Sequence, residues 1–222
     1  MGDAIGQMLA SAVGIAISPL PLIAVILMLA TPRGRSNGIA FTAGWVVALS
    51  AVTAVVVLAG SGIDTAAGTP DWSYWVKLAL GVLFLLLAAK QWQGRPREGK
   101  VAEPPGWMRA VDRFTPAKSA GLAAVLAAAN PKNLVLAVGG AVSIATSGAS
   151  GGGKAVAGAL LVLIGSLCTL LPLGVYLLGG ARAGEVLGGW KAWMSAHNSA
   201  IMLVLLLVLG VKYVGDAVSG LT

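Results

Sequence analysis

Ser18-Pro19-Leu20-Pro21-Leu22 and Asn130-Pro131-Lys132-Asn133-Leu134 decide how this chain is read. Aligned, both run small polar residue, Pro, any residue, Pro or Asn, then Leu. Pro19 and Pro131 stand about half of the 222-residue chain apart, and each falls near the middle of a long apolar stretch. Proline inside a helix removes one backbone N–H and collides with the carbonyl one turn back. Lipid offers the freed carbonyls no partner, so protein, trapped water or a substrate must satisfy them.

Composition puts these stretches in lipid. Of all residues 57% are hydrophobic and 10% charged, against about 25% charged in an ordinary soluble domain. Residues 15–30, 39–63, 78–89, 156–181 and 199–211 contain no Asp, Glu, Lys or Arg. With their flanks, several reach the roughly 20 apolar residues that a spanning helix needs. The net charge of +7 does not point to nucleic acid. The basic residues sit between apolar stretches and form no stripe among exposed aromatics. The single cysteine, Cys168, has no disulfide partner and reads as a small core residue. Asp3 and the lack of a basic leader do not read as a cleavable signal peptide.

Six helices are expected, at about 4–30, 38–61, 73–93, 118–147, 154–180 and 198–218. Breakers from Thr31 to Gly38 form a turn, residues 60–70 a small-residue loop with Asp64, 148–153 a Gly/Ser link, and 182–197 a short polar connection. The longest connection, 94–117, carries Arg95, Arg97, Lys100, Arg109 and Arg113. Within it Trp107, Val111 and Phe114 recur at helical spacing, as in a short interfacial helix. A disordered basic linker fits the part before Pro104 equally well. Basic loops follow the first, third and fifth helices, and the positive-inside rule puts them in the cytoplasm with both termini outside. Trp72, Tyr74, Trp75 and Tyr213 suit the outer aromatic belt, and Trp92, Trp190 and Trp193 the inner one.

The expected architecture is therefore an all-α membrane protein with six transmembrane helices in a 3+3 inverted repeat. Residues 1–93 form the first repeat, 94–117 the linker and 118–222 the second repeat. Three helices per half is an odd number, so similar halves insert in opposite orientations. Matched broken helices in two such halves mark a central site. The plain alternative is that the prolines only kink the helices for packing. Lys132 adds to the site reading, because a charge at mid-membrane depth costs about 2.5–3.5 kcal/mol on insertion scales. Asn130 and Asn133 flank it with hydrogen-bonding groups, and the set suits a carboxylate, phosphate or sulfate. Its plain alternative is a lysine that snorkels to the interface. Arg33 and Arg35 stand at the cytoplasmic mouth, where they set topology and can meet anionic head groups.

Absences narrow the chemistry. The apolar spans hold no Asp or Glu apart from Asp216 near an end. Hard divalent cations need oxygen ligands, usually carboxylates. The only histidine, His197, excludes a histidine metal cluster. No acid–base pair, activated nucleophile or nucleotide-binding loop is present, so no enzyme activity, metal or cofactor is expected. Small residues Gly38, Ala40, Gly44, Gly158, Gly165 and Ser166 permit close helix packing. Pro172 is expected to kink the fifth helix, with Tyr176 one turn beyond it.

Ser18-Pro19-Leu20-Pro21, the run from Pro32 to Gly38, the Phe41, Gly44, Trp45 stretch and Asn130-Pro131-Lys132-Asn133 together resemble the actinobacterial GAP family. These are peptidoglycolipid- and sulfolipid-addressing proteins, placed within the LysE exporter superfamily, and the resemblance covers essentially the whole chain. It implies a six-helix protein of a bacterial plasma membrane that helps export cell-envelope glycolipids. By that resemblance Ser18, Pro19, Pro21, Asn130, Pro131, Lys132 and Asn133 frame the translocation site. The superfamily's thiol-redox transporters need a cysteine pair, which is absent here, and its metal exporters are disfavoured by the missing carboxylates. Export of amino acids or other small solutes stays open. The leading expectation is a transporter or flippase for an anionic envelope lipid. A non-transporting scaffold of a lipid-synthesis or export complex is the alternative of another class. Membrane lipids, the anionic lipid or small-molecule substrate, a second copy in a homodimer and such a complex are the expected partners, and nucleic acid is not among them.

Overall fold

A computed structural model describes residues 2–61, 71–94, 111 and 113–221. Among them the secondary structure is helical, without strands. The elements are α1 (Gly2–Ala16), α2 (Pro19–Leu29), α3 (Gly34–Ser61), α4 (Asp71–Gln93), α5 (Pro116–Ala128), α6 (Pro131–Ala145), α7 (Gly151–Gly165), α8 (Leu167–Leu178) and α9 (Ala183–Leu221). One 3-10 turn, Gly180–Arg182, joins the last two. Helices α3, α4 and α9 are each long and apolar enough to cross a membrane. Three further pairs pass the same test as broken spans: α1–α2 bent by 47°, α5–α6 by 63° and α7–α8 by 57°. The described residues thus hold three clear candidate spans, and up to six when each bent pair counts as one.

The first two breaks follow from the repeated motif. Ser18 precedes α2 with φ −77° and ψ 113°, and Asn130 precedes α6 with φ −72° and ψ 117°. A residue before proline is pushed to such extended backbone. Proline then suits the first helical position, where its missing N–H is no loss. Each motif therefore ends one half-helix and starts the next.

The third break departs from expectation. Pro172 lies inside α8, and the bend falls earlier, at Ser166. Gly165 and Ser166 form a Gly/Ser pair, a recognised cause of sharp kinks. The Ser166 carbonyl accepts from the backbone N–H groups of Thr169 and Leu170, both at 2.9 Å, and from the Thr169 hydroxyl at 3.0 Å. The polar connection expected at 182–197 is also corrected. Beyond the short turn it is helix, part of the 39-residue α9. That helix runs about 58 Å at 1.5 Å per residue, about twice a hydrocarbon core. Pro172 is the last proline in the chain, so no imino acid stops α9. The start of α9 stays largely exposed and buries Ala183 and Leu187.

Close helix approach rests on small residues. A Cβ on Gly44 would stand 2.5 Å from the Ala120 carbonyl oxygen of α5. One on Gly81 of α4 would stand 2.8 Å from the Val214 backbone nitrogen of α9. Ile15, Phe41, Trp45, Leu49, Leu136 and Leu161 fill the interior. Val47, Leu58, Leu86, Leu178 and Val204 face outward, as an apolar solvent demands. The expected loop at 62–70 with Asp64, and the linker residues 95–110 and 112 with Trp107 and Arg109, lie outside the described residues. Of the proposed interfacial helix, Val111 is buried and Phe114 half-buried.

Candidate functional site

The two motifs meet. The Ser18 hydroxyl donates to Asn133 Oδ1 at 2.9 Å and accepts from Lys132 Nζ at 2.8 Å. All three side chains are buried, Ser18 at 2%, Lys132 at 4% and Asn133 at 1% exposure. Ser18 stands where a helix cap belongs, yet its hydroxyl makes no cap bond to α2 and crosses to α6 instead. Asn133 Nδ2 donates to the Leu126 carbonyl at 3.0 Å, which satisfies a carbonyl freed by the break. Asn130 Oδ1 accepts from the Lys132 backbone N–H at 3.2 Å and so caps α6.

Lys132 does not snorkel. Its ammonium bonds to Ser18 alone among the described residues, and no carboxylate among them lies within ion-pair distance. A buried charge without a counter-charge is costly. Such a group is a ready ligand for a bound anion. Cys168 lies within electrostatic reach of Lys132 and is buried, with its thiol on the Gly165 carbonyl at 3.4 Å. The break at Ser166 is two residues before this thiol.

The other expected residues take different positions. Pro19 and Pro21 are buried at the start of α2, and Pro131 is exposed on the outside of the bundle. Arg33 is exposed. Arg35 lines a cavity of about 710 Å³ with Tyr176 and Lys191, between α2, α8 and the start of α9. Tyr176 lines this cavity and is half-buried against the core. His197 is exposed and stacks on Trp193 at 4.7 Å. Among the described residues no group of three or more His, Cys, Asp or Glu could hold a metal ion.

Sequence reasoning missed two further features. A groove of about 890 Å³ runs between α3 and α7–α8, from Lys154 down to Ser166 and Leu170. Thr53 and Ser166 line it, and their buried hydroxyls have no hydrogen-bond partner among the described residues. At the end of the bundle that carries both termini, Lys77, Lys212 and Asp216 share a cavity of about 560 Å³. Lys77 interrupts an otherwise apolar span, and that was the available signal.

Long apolar helices, with a polar cluster of Ser18, Lys132 and Asn133 buried among them, define a multi-pass helical membrane protein. A family model described as "Sap, sulfolipid-1-addressing protein" matches residues 8–219, and the chain belongs to that family. None of the curated proteins and no solved structure gives a significant match. The family carries a lipid-related membrane role.

Proposed function

We propose that this protein moves an envelope lipid with an anionic head group across the membrane, with Lys132 as the ligand of that head group. The observation that carries the reading is the buried Lys132 ammonium, held by Ser18 and lacking an acidic partner among the described residues. An anion supplies the missing charge, and the Ser18 hydroxyl and Asn133 amide lie beside it. Arg35 and Lys191 make the cavity at the opposite end from the termini basic, which suits it to gather anions. By the positive-inside rule that end faces the cytoplasm of the plasma membrane, and both termini face outward. The groove between α3 and α7–α8 favours an amphiphile over a small solute, because its long walls are mainly apolar and suit a hydrocarbon tail. The family match to sulfolipid-1-addressing proteins supports a lipid cargo.

The 3+3 inverted repeat belongs to the same proposal, as does the LysE-like arrangement. The nearly equal backbone angles at Ser18 and Asn130 support it. The unbroken α3 against the broken α7–α8 is where the halves differ. Rearrangement at the three breaks would open the site to one side and then the other. A deletion strain complemented with wild type or with Lys132→Ala tests the reading. Surface-exposed and total envelope lipids are compared. Loss of one lipid class from the surface, restored by wild type and not by the variant, is expected. An unchanged lipid profile moves the assignment to small-solute efflux. Full rescue by a well-expressed Lys132→Ala removes Lys132 from the site and leaves a scaffold role in a lipid-export complex.

A further inference from the structure

The cavity at the end of the bundle that carries both termini is lined by Gly6 and Gln7 of α1, Tyr74 and Lys77 of α4, Ser147 after α6, and Lys212 and Asp216 of α9. Four elements that are remote in sequence thus enclose two ammonium groups and one carboxylate. Lys212 and Asp216 pair at 2.6 Å within α9. Lys77 is 6% exposed and makes no hydrogen bond or ion pair among the described residues. Its amine sits 5.5 Å from the centre of the Tyr74 ring and within Coulombic reach of both members of the pair. A cation over an aromatic face recovers only about 0.5–2 kcal/mol, and partial loss of hydration still disfavours an ammonium that has no opposite charge of its own. Among the described residues the cluster is one negative charge short.

We propose that this cavity is a second anion site, distinct from Lys132, and that it takes a singly charged oxyanion such as a sulfate ester, a phosphodiester or a carboxylate. Lys77 supplies the uncompensated charge. The Lys212 ammonium offers its remaining donors, and Asp216 holds that ammonium in place. The Ser147 hydroxyl donates to the Ile144 carbonyl at 2.7 Å, so its oxygen stays an acceptor and does not compete for the anion. Asp216 also limits affinity, which suits a site that must release what it binds. The inference stands on these residues whatever the fate of the Lys132 reading.

The test uses the full chain in neutral detergent micelles, with thermal unfolding as the readout of binding. Sodium methyl sulfate, dioctanoyl phosphatidylglycerol and dioctanoyl phosphatidylcholine are titrated at ionic strength matched with chloride. Methyl sulfate and the anionic lipid should raise the midpoint, and the neutral lipid should not. Lys77→Met should weaken the response about tenfold, Lys77→Arg should retain it, and Asp216→Asn should strengthen it severalfold. Lys132→Met should leave the part that depends on Lys77 in place, which separates this site from the central one. A response to the anionic lipid alone assigns the cavity to a head group with its tail, and a response to both assigns it to the free oxyanion. Wild type that responds to neither beyond chloride overturns the proposal. So does a response that neither Lys77→Met nor Asp216→Asn changes.

Discussion

Ser18 and Lys132 are 114 positions apart in the chain, and the hydroxyl of one lies 2.8 Å from the amine of the other. The same hydroxyl reaches Asn133 Oδ1 at 2.9 Å, so one oxygen ties α2 to the start of α6. The contact gives the buried Lys132 amine one hydrogen-bond partner among the described residues.

Stability and transport should therefore respond oppositely at Lys132. Lys132→Met keeps an unbranched side chain of similar volume and removes a buried amine that has no acidic partner among the described residues. Apolar replacement of buried ions is often neutral or stabilising by about 1–4 kcal/mol. The variant is expected to unfold at the same or a higher temperature, while surface delivery of the lipid falls at least tenfold. Thermal unfolding in micelles and a surface-lipid assay read the two effects separately. A variant that is destabilised and transports normally would contradict the assignment.

Ser18→Ala leaves Lys132 and the Asn133 carbonyl oxygen without their shared partner. Interhelical hydrogen bonds in membranes are worth about 0.6 kcal/mol on average and up to about 1.7. A loss near the upper end is expected, because one side chain serves two bonds. In a Ser18→Ala/Asn133→Ala cycle the coupling should reach about 0.5–3 kcal/mol, as for residues in one network. Additive losses would mean that the contact carries no energy.

Tyr213 and Ser11 join α9 to α1 through hydroxyls 2.6 Å apart, and the Tyr213 ring stacks on Phe84 at 6.0 Å. Tyr213→Phe keeps the stacking and strands the Ser11 hydroxyl. It should cost about 1–3 kcal/mol. Ser11→Ala added to it should recover part of the loss, because both polar groups are then gone. Thermal unfolding of the three variants provides the check.

Gly44 and Gly121 face different surroundings. A Cβ on Gly44 would press on the Ala120 backbone, and one on Gly121 meets nothing within 4 Å. Gly44→Ala is expected to cost about 1–3 kcal/mol, as overpacking does. Gly121→Ala should be neutral or stabilise the helix by up to about 1 kcal/mol. Equal effects on the unfolding midpoint would show that α3 and α5 are not closely packed there.

Ala159 is exposed in the groove between α3 and α7–α8. Ala159→Trp should fill the space without disturbing the core. Lipid delivery is expected to drop severalfold with the unfolding midpoint unchanged, and efflux of a small anion would be unaffected. Unimpaired lipid delivery in a variant with the groove filled would remove the tail from that groove.

Much of this was legible because it is local. Each proline acts on its own backbone and on the carbonyl one turn back, so the breaks at Ser18 and Asn130 follow from the sequence. The break at Ser166 was misplaced at Pro172, because a Gly/Ser pair bends a helix only when packing favours it. The helix through 183–198 was read as a loop from its glycines and charges. A long unbroken helix with no proline overrode that composition, anchored on one side by Ala183 and Leu187. The burial of Lys77 depends on neighbours that the sequence does not name.

The sequence by itself determined that the chain lives in lipid, that its first and fourth spans break at matched prolines, and that Lys132 lies between the ends of a span. Those properties belong to runs of side chains and to the geometry of the imino acid, and no distant contact alters them. Only the tertiary structure decided that Ser18, Lys132 and Asn133 touch, that α7–α8 breaks at Ser166, and that Lys77 shares a cavity with the Lys212–Asp216 pair. These depend on the angles at which helices pack, set by side-chain shape across segments more than a hundred residues apart, which one-dimensional order leaves unspecified.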